Sequence, residues 1–267
     1  MLVSLIGKKK FTNKDQKAFA KISCDYNPIH VNPEIARRLI PGKQIVHGLN
    51  ILLTSLNFLF KKKNFFYFNR VQCLFLNPIN IDEQVNFIKK LNKGKLIIEV
   101  KNKHKLFTKI ILENNNNTIE EKFYLKKKLI KKIKKIKKKS INNYFDKEKK
   151  NNRYYEINLN NFISSKKYGN LKNVLNNHEI KSLLSLSYFV GMVCPGLNSI
   201  LSSLEINFDD KFKINKKIGF FLKEHDKRIN LVSIKFLNSL SGNIKAFTHQ
   251  GQIAQPAIRK IKKSIKL

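Results

Sequence analysis

Polarity along the chain alternates between two periods. From Gly48 to Leu56 nearly every position is apolar or small, the pattern of a helix sunk in a core with no wet face. Downstream the period drops to two. Arg70–Leu76, Glu83–Leu91, Lys95–Lys101 and Leu106–Glu113 alternate as half-buried strands do, with Asn92-Lys93-Gly94 as a turn. The second half carries similar runs at Ile218–Glu224, Ile229–Leu237 and Asn243–His249. Gly196-Leu197-Asn198-Ser199-Ile200-Leu201-Ser202-Ser203-Leu204 can be laid over Gly48–Leu56 with the glycines, the asparagines, three leucine pairs and one serine pair in register. That match predicts a second buried helix and two related domains. One helix followed by an antiparallel meander, twice over, predicts an α+β fold.

Between the halves lies Lys126–Lys139, interrupted only by Leu129, Ile130, Ile133 and Ile136, then the polar stretch Asn142–Arg153. The expected organisation is a first domain at 1–125, a Lys-rich linker at 126–152 and a second domain at 153–267. The linker's helical spacing of apolar residues suits a solvated connecting helix more than one lying on a membrane. The whole chain of 267 residues is strongly basic, with 54 Lys+Arg against 18 Asp+Glu and a formal net charge of +36. Such a balance raises the question of nucleic acid. The excess is almost all Lys, however, and Arg, the residue suited to bidentate phosphate and base contacts, is scarce. The field still draws anionic small molecules and acidic proteins.

No apolar run is long enough to span a bilayer, and Lys8, Lys9 and Lys10 cut the opening run too short for a signal-peptide core. Cys24, Cys73 and Cys194 are far apart, which supports neither a disulfide framework nor a zinc cluster. A protein of the reducing cytoplasm is the expectation.

The chemistry concentrates in Phe19-Ala20-Lys21-Ile22-Ser23-Cys24-Asp25-Tyr26-Asn27-Pro28-Ile29-His30. Pro28 fixes its own φ and pushes Asn27 toward an extended conformation, so Asp25–His30 is a shaped loop. Its carboxylate and imidazole can converge on one small volume and hold a water there. Alone, the motif reads more readily as a turn with a capping Asp and a surface His. Ile45-Val46-His47-Gly48 then leads into the apolar helix, where the Gly48 N–H sits at the positive end of the helix dipole and can meet a developing oxyanion. His47 reads as a buried imidazole that orients the loop. Phe75-Leu76-Asn77-Pro78-Ile79 marks the end of a strand.

Taken in order, Phe-Ala-x-Ile-Ser-x-Asp-x-Asn-Pro-x-His, then Ala36-Arg37, Ile-Val-His-Gly and Phe-x-x-Pro-Ile resemble the MaoC-like (R)-specific enoyl-CoA hydratases and dehydratases, over about residues 11–112. The resemblance implies a double hot-dog fold, an antiparallel sheet wrapped round a central helix in each half. It also implies Asp25, His30 and Gly48 as catalytic residues, with Asn27 and His47 beside the substrate. The expected reaction is reversible hydration of a trans-2-enoyl thioester of coenzyme A or acyl carrier protein, with no cofactor and no metal. The second half looks like a decayed copy, with Pro195-Gly196 where His47-Gly48 would stand; a pseudo-dimeric monomer or a homodimer is expected. Two alternatives stay open: a non-catalytic acyl-thioester or carrier-protein binding module, and Lys-driven nucleic-acid binding.

Overall fold

The computed structural model describes residues 3–61, 66–114, 154–163, 166–208, 216–237 and 240–249. The expected linker, with its basic run Lys126–Lys139, lies wholly outside them. No helix among the described residues is long and apolar enough to cross a membrane.

Ten strands form one antiparallel sheet. They are β1 (Val3–Lys10), β2 (Arg70–Phe75), β3 (Gln84–Asn92), β4 (Lys95–Lys101), β5 (Leu106–Glu113), β6 (Tyr154–Asn158), β7 (Ser199–Asn207), β8 (Lys217–Asp226), β9 (Leu231–Leu237) and β10 (Ser241–Thr248). Their order is β1-β3-β4-β5-β2-β7-β10-β9-β8-β6. Read outward from the β2–β7 seam, the two halves repeat one order. Buried and exposed positions alternate cleanly in the inner strands: Leu96, Ile98 and Val100 in β4, Val232, Ile234 and Phe236 in β9.

Two short helical turns, α2 (Pro28–Val31) and α3 (Pro33–Ala36), follow α1 (Asn13–Ser23). The two long apolar helices are α4 (Gly48–Leu59) and α5 (Asn177–Tyr188), each of twelve residues. Leu49, Leu52, Leu53 and Leu56 of α4 and Leu183, Leu184 and Leu186 of α5 share one core with Val71 and Leu204 from the two sides of the seam. Burying each such side chain contributes about 1.5–3 kcal/mol, so the halves stabilise each other through a common interior. On the sheet at the same seam, Arg70 pairs with Glu113 of its own half and Glu205 of the other.

This is an α+β double hot dog, with one correction. The segment Gly196–Leu204 is not a helix. Its residues from Ser199 onward form β7, hydrogen-bonded to β2 on one side and β10 on the other. Leu/Ser-rich sequence is locally ambiguous, and here cross-strand pairing on both edges decides the outcome. The helix of the second half comes earlier, as α5, so the counterpart of His47-Gly48 is Asn176-Asn177 and not Pro195-Gly196.

Candidate active site

The loop after α1 is built by local rules. Cys24 closes the helix in the left-handed region at φ 57°, which turns the chain sharply before Asp25. Asn27 then caps α2, and Pro28 occupies the first helical position, where its missing N–H costs nothing. His30, two residues on, is held on the Ile45 carbonyl through Nδ1 at 3.0 Å, and its own backbone carbonyl accepts from Gln44. The segment that leads into α4 is pinned in turn, with Ile45 N–H on Ile29 and Val46 N–H on Ile79.

Asp25 is buried, 3% exposed. Its Oδ2 accepts from Ser187 Oγ at 2.6 Å and its Oδ1 from the Asn27 N–H at 3.2 Å. Burial pushes its pKa up to about 6, against the opposing pull of those two hydrogen bonds. Burial holds His30 down at about 4, so the ring is neutral at physiological pH. With Nδ1–H donating to Ile45, the other nitrogen of His30 carries a lone pair. His47 lies against His30, ring centroids 4.0 Å apart, and burial together with that neighbour keeps it well below the usual histidine range.

Asp25, His30 and Gly48 line one cavity of about 180 Å³, together with Phe75, Leu76, Ser187 and Leu201. Three of the expected site residues are therefore brought together. The other two are placed differently. His47 is fully buried and does not line the cavity; its ring spans Gln16 Oε1 at 2.9 Å and the Asp25 carbonyl at 3.1 Å. Asn27 borders the cavity but is also fully buried. Its side chain is engaged with Ile29 N–H, Asn198 N–H and the Ser199 carbonyl, which ties the loop to the start of β7. For both, the contacts point to holding the loop in place rather than touching a substrate.

The helix start beside the cavity has an unusual feature. No side chain caps α4, so the first N–H groups of a twelve-residue helix are left for another acceptor. A Cβ on Gly48 would come within 3.1 Å of both Leu201 and Phe75, so glycine keeps the approach to that N–H open.

Ser187 and Gly191, from the second half, also touch Asp25. Sequence reasoning did not name them, because neither sits in a motif and 162 residues separate Ser187 from its partner. Asp25, His30 and His47 place ligand-type atoms within 4.8 Å of one another. A divalent ion needs contacts near 2.0–2.2 Å, and to supply one His47 would have to leave the Asp25 carbonyl. The hydrogen bonds suit a small neutral guest such as water better than an ion.

A sheet curled round paired helices, with an acid and an imidazole beside an uncapped helix start, is the hot-dog arrangement of the described residues. The fold is shared along nearly the whole chain with a "putative MaoC domain protein dehydratase" from Chloroflexus aurantiacus J-10-fl, at TM-score 0.53 and 8% identity, covering 94% of this chain and 95% of that one. The (R)-hydratase from A. caviae involved in PHA biosynthesis aligns with 43% of this chain and 95% of its own, at 22% identity and TM-score 0.34. The mitochondrial 3-hydroxyacyl-[acyl-carrier-protein] dehydratase of Arabidopsis thaliana is 44% identical over 39 residues, 15% of this chain and 24% of that protein. The chain thus matches about a quarter of that curated relative's length. Residues 5–121 match the MaoC like domain, so this part of the chain is similar to the MaoC-like hot-dog hydratases and dehydratases.

Proposed function

We propose that the protein is a hydro-lyase that adds water reversibly to trans-2-enoyl thioesters, giving (3R)-hydroxyacyl thioesters carried on coenzyme A or on acyl carrier protein. The observation that carries this reading is the uncapped start of α4 facing the same cavity as Asp25 and His30. The Gly48 N–H would donate to the thioester carbonyl oxygen and stabilise the enolate-like charge that builds there. Above pH 6 Asp25 is a carboxylate and His30 a neutral base, so both present acceptors to a water held between them. As the water oxygen bonds to C3, one of its protons passes to the pair and from there to C2. Charge on the pair is the same before and after, and no redox equivalent is consumed. Dehydration is the reverse.

The test is turnover of crotonyl-CoA and of the matching enoyl-carrier protein, followed by loss of enoyl absorbance. Asp25→Asn and His30→Ala should each lower kcat by about 10²–10⁴ while the circular dichroism of the fold is retained. Wild-type turnover in both variants would remove the assignment. The wild-type rate should also fall on the acid side of pH 6, as Asp25 takes up its proton.

A further inference from the structure

The second half carries no Asp-His loop, yet one of its segments is shaped around Asp25. The helix α5 does not simply end at Tyr188. It widens into a π-turn at Phe189–Val193, an irregular form that is rare and frequently found at functional sites. The turn is braced on several sides. Phe189 stacks on Phe220 with ring centroids 3.9 Å apart, and Cys194 N–H reaches the Phe189 carbonyl at 2.7 Å. Ser199 Oγ and Gly196 N–H both donate to the Val190 carbonyl, each at 2.9 Å. Gly191 falls one turn after Ser187, so both present to the same neighbour. Ser187 gives Asp25 a hydrogen bond. Gly191 gives it a wall, because a Cβ there would overlap Asp25 Oδ1 and lie 2.7 Å from its carboxyl carbon and 2.9 Å from Oδ2. Only a residue without a side chain fits.

We infer that Gly191 is a positioning residue for the acid–base site: the bare backbone of the π-turn fixes the Asp25 carboxylate against Ser187 and Asn27 and keeps water from behind it. This rests on the hydratase reading for its kinetic consequence, but not for the contact itself. The titratable groups facing Asp25 are His47, at 4.0 Å, and His30, which shares its cavity. The backbone of this turn packs against the carboxyl, and burial of that carboxyl is what raises the Asp25 pKa.

The test is Gly191→Ala in the full chain. The added methyl displaces the carboxyl toward the cavity. The expected result is a fall in kcat of about 10²-fold, the scale of a misplaced reacting group, with KM little changed. The acid limb of the rate profile should move from near pH 6 toward the ordinary carboxylate range. A variant that keeps the wild-type kcat and acid limb overturns the inference. If Gly191→Ala alone cannot be recovered folded, the double variant Asp25→Ala/Gly191→Ala decides, since it gives the methyl the volume the carboxyl vacates. It should be soluble and unfold close to Asp25→Ala alone; instability equal to that of Gly191→Ala overturns the inference. That cycle reads stability only, so it still answers if the wild-type protein hydrates no thioester, which would be the failure of the hydratase reading instead.

Discussion

The two ends of the β2–β7 seam are built alike and equipped differently. At one end the cavity takes Ile45 and Val46 from the approach to α4, Phe75 from the end of β2, and Ser199–Ser202 from β7. At the other, a second cavity of about 260 Å³ takes Val174 and Leu175 from the approach to α5, Phe208 from just beyond β7, and Phe66–Asn69 from just before β2. Position for position these sets are related by the two-fold repeat of the sheet. What differs is the helix start. The first N–H groups of α5 are already used: Asn176 Oδ1 accepts from His178 and Glu179, both at 2.9 Å, and Glu179 reaches back to the Asn176 N–H at 2.8 Å. The start of α4 has no such cap. The fold therefore supplies a pocket at both ends, and under the proposed function the open helix start is what would let one end bind an oxyanion.

The largest expected effect comes from closing the open end. Gly48 is the first residue of α4, where proline is well tolerated, and His47 already has ψ 131°, the conformation a residue preceding proline prefers. Gly48→Pro thus deletes one N–H while keeping a helix start. Gly48→Ala adds similar bulk near Leu201 and Phe75 but keeps the donor. The proline variant should turn over enoyl-CoA about 10²–10³ times more slowly than the alanine variant, the usual consequence of losing one oxyanion donor. Equal rates would mean that the exposed helix start has no part in the chemistry.

A second contrast concerns stability. The live end holds a buried carboxylate that the other end lacks, and charging it inside the protein is unfavourable. The Asp25 pKa rises from 3.8 unfolded to about 6 folded. Its contribution to stability is fully present below pH 3.8, is lost as pH rises toward 6, and stays lost above that. The shift corresponds to roughly 3 kcal/mol. Asp25→Asn keeps an oxygen for the Asn27 N–H and gains an N–H for Ser187 Oγ. It should stabilise the protein at pH 7.5 by an amount of that order, a gain that shrinks toward zero by pH 4. Denaturant unfolding of both proteins at the two pH values measures it; a gap that is the same at both would show that burying the charge is not what the wild type suffers from.

The contrast also explains what could be read before any coordinates. Asp25, Asn27, Pro28 and His30 lie in one loop whose shape follows from a left-handed helix end and a proline, both local, so the loop was legible. So were the inner strands: Lys95–Lys101 and Leu106–Glu113 are β4 and β5 to the residue. The edge strand β1 carries a weaker pattern, exposed or half-exposed along its whole length, and the edge strand β6 is only five residues long. Gly196–Leu204 reads as a helix because its helical look is local, whereas the strand pairing that claims Ser199–Asn207 is not. Ser187 and Gly191 could not be found at all, since their role exists only once α5 is packed against a loop from the other half.

The smallest expected effect tests the closed end. Asn176 caps α5 through two N–H groups, and the reciprocal bond from Glu179 completes the box. Asn176→Ala removes the side-chain half of that arrangement and should lower stability by about 1 kcal/mol. The site at α4 meets α5 and its π-turn at Ser187, Val190 and Gly191, which lie near the opposite end of the helix from Asn176. Turnover of enoyl-CoA by Asn176→Ala should therefore match the wild type at temperatures below its unfolding transition. A large drop in kcat with the fold intact would mean that the two ends communicate through the shared core, and the division between an equipped end and a capped one would have to be redrawn.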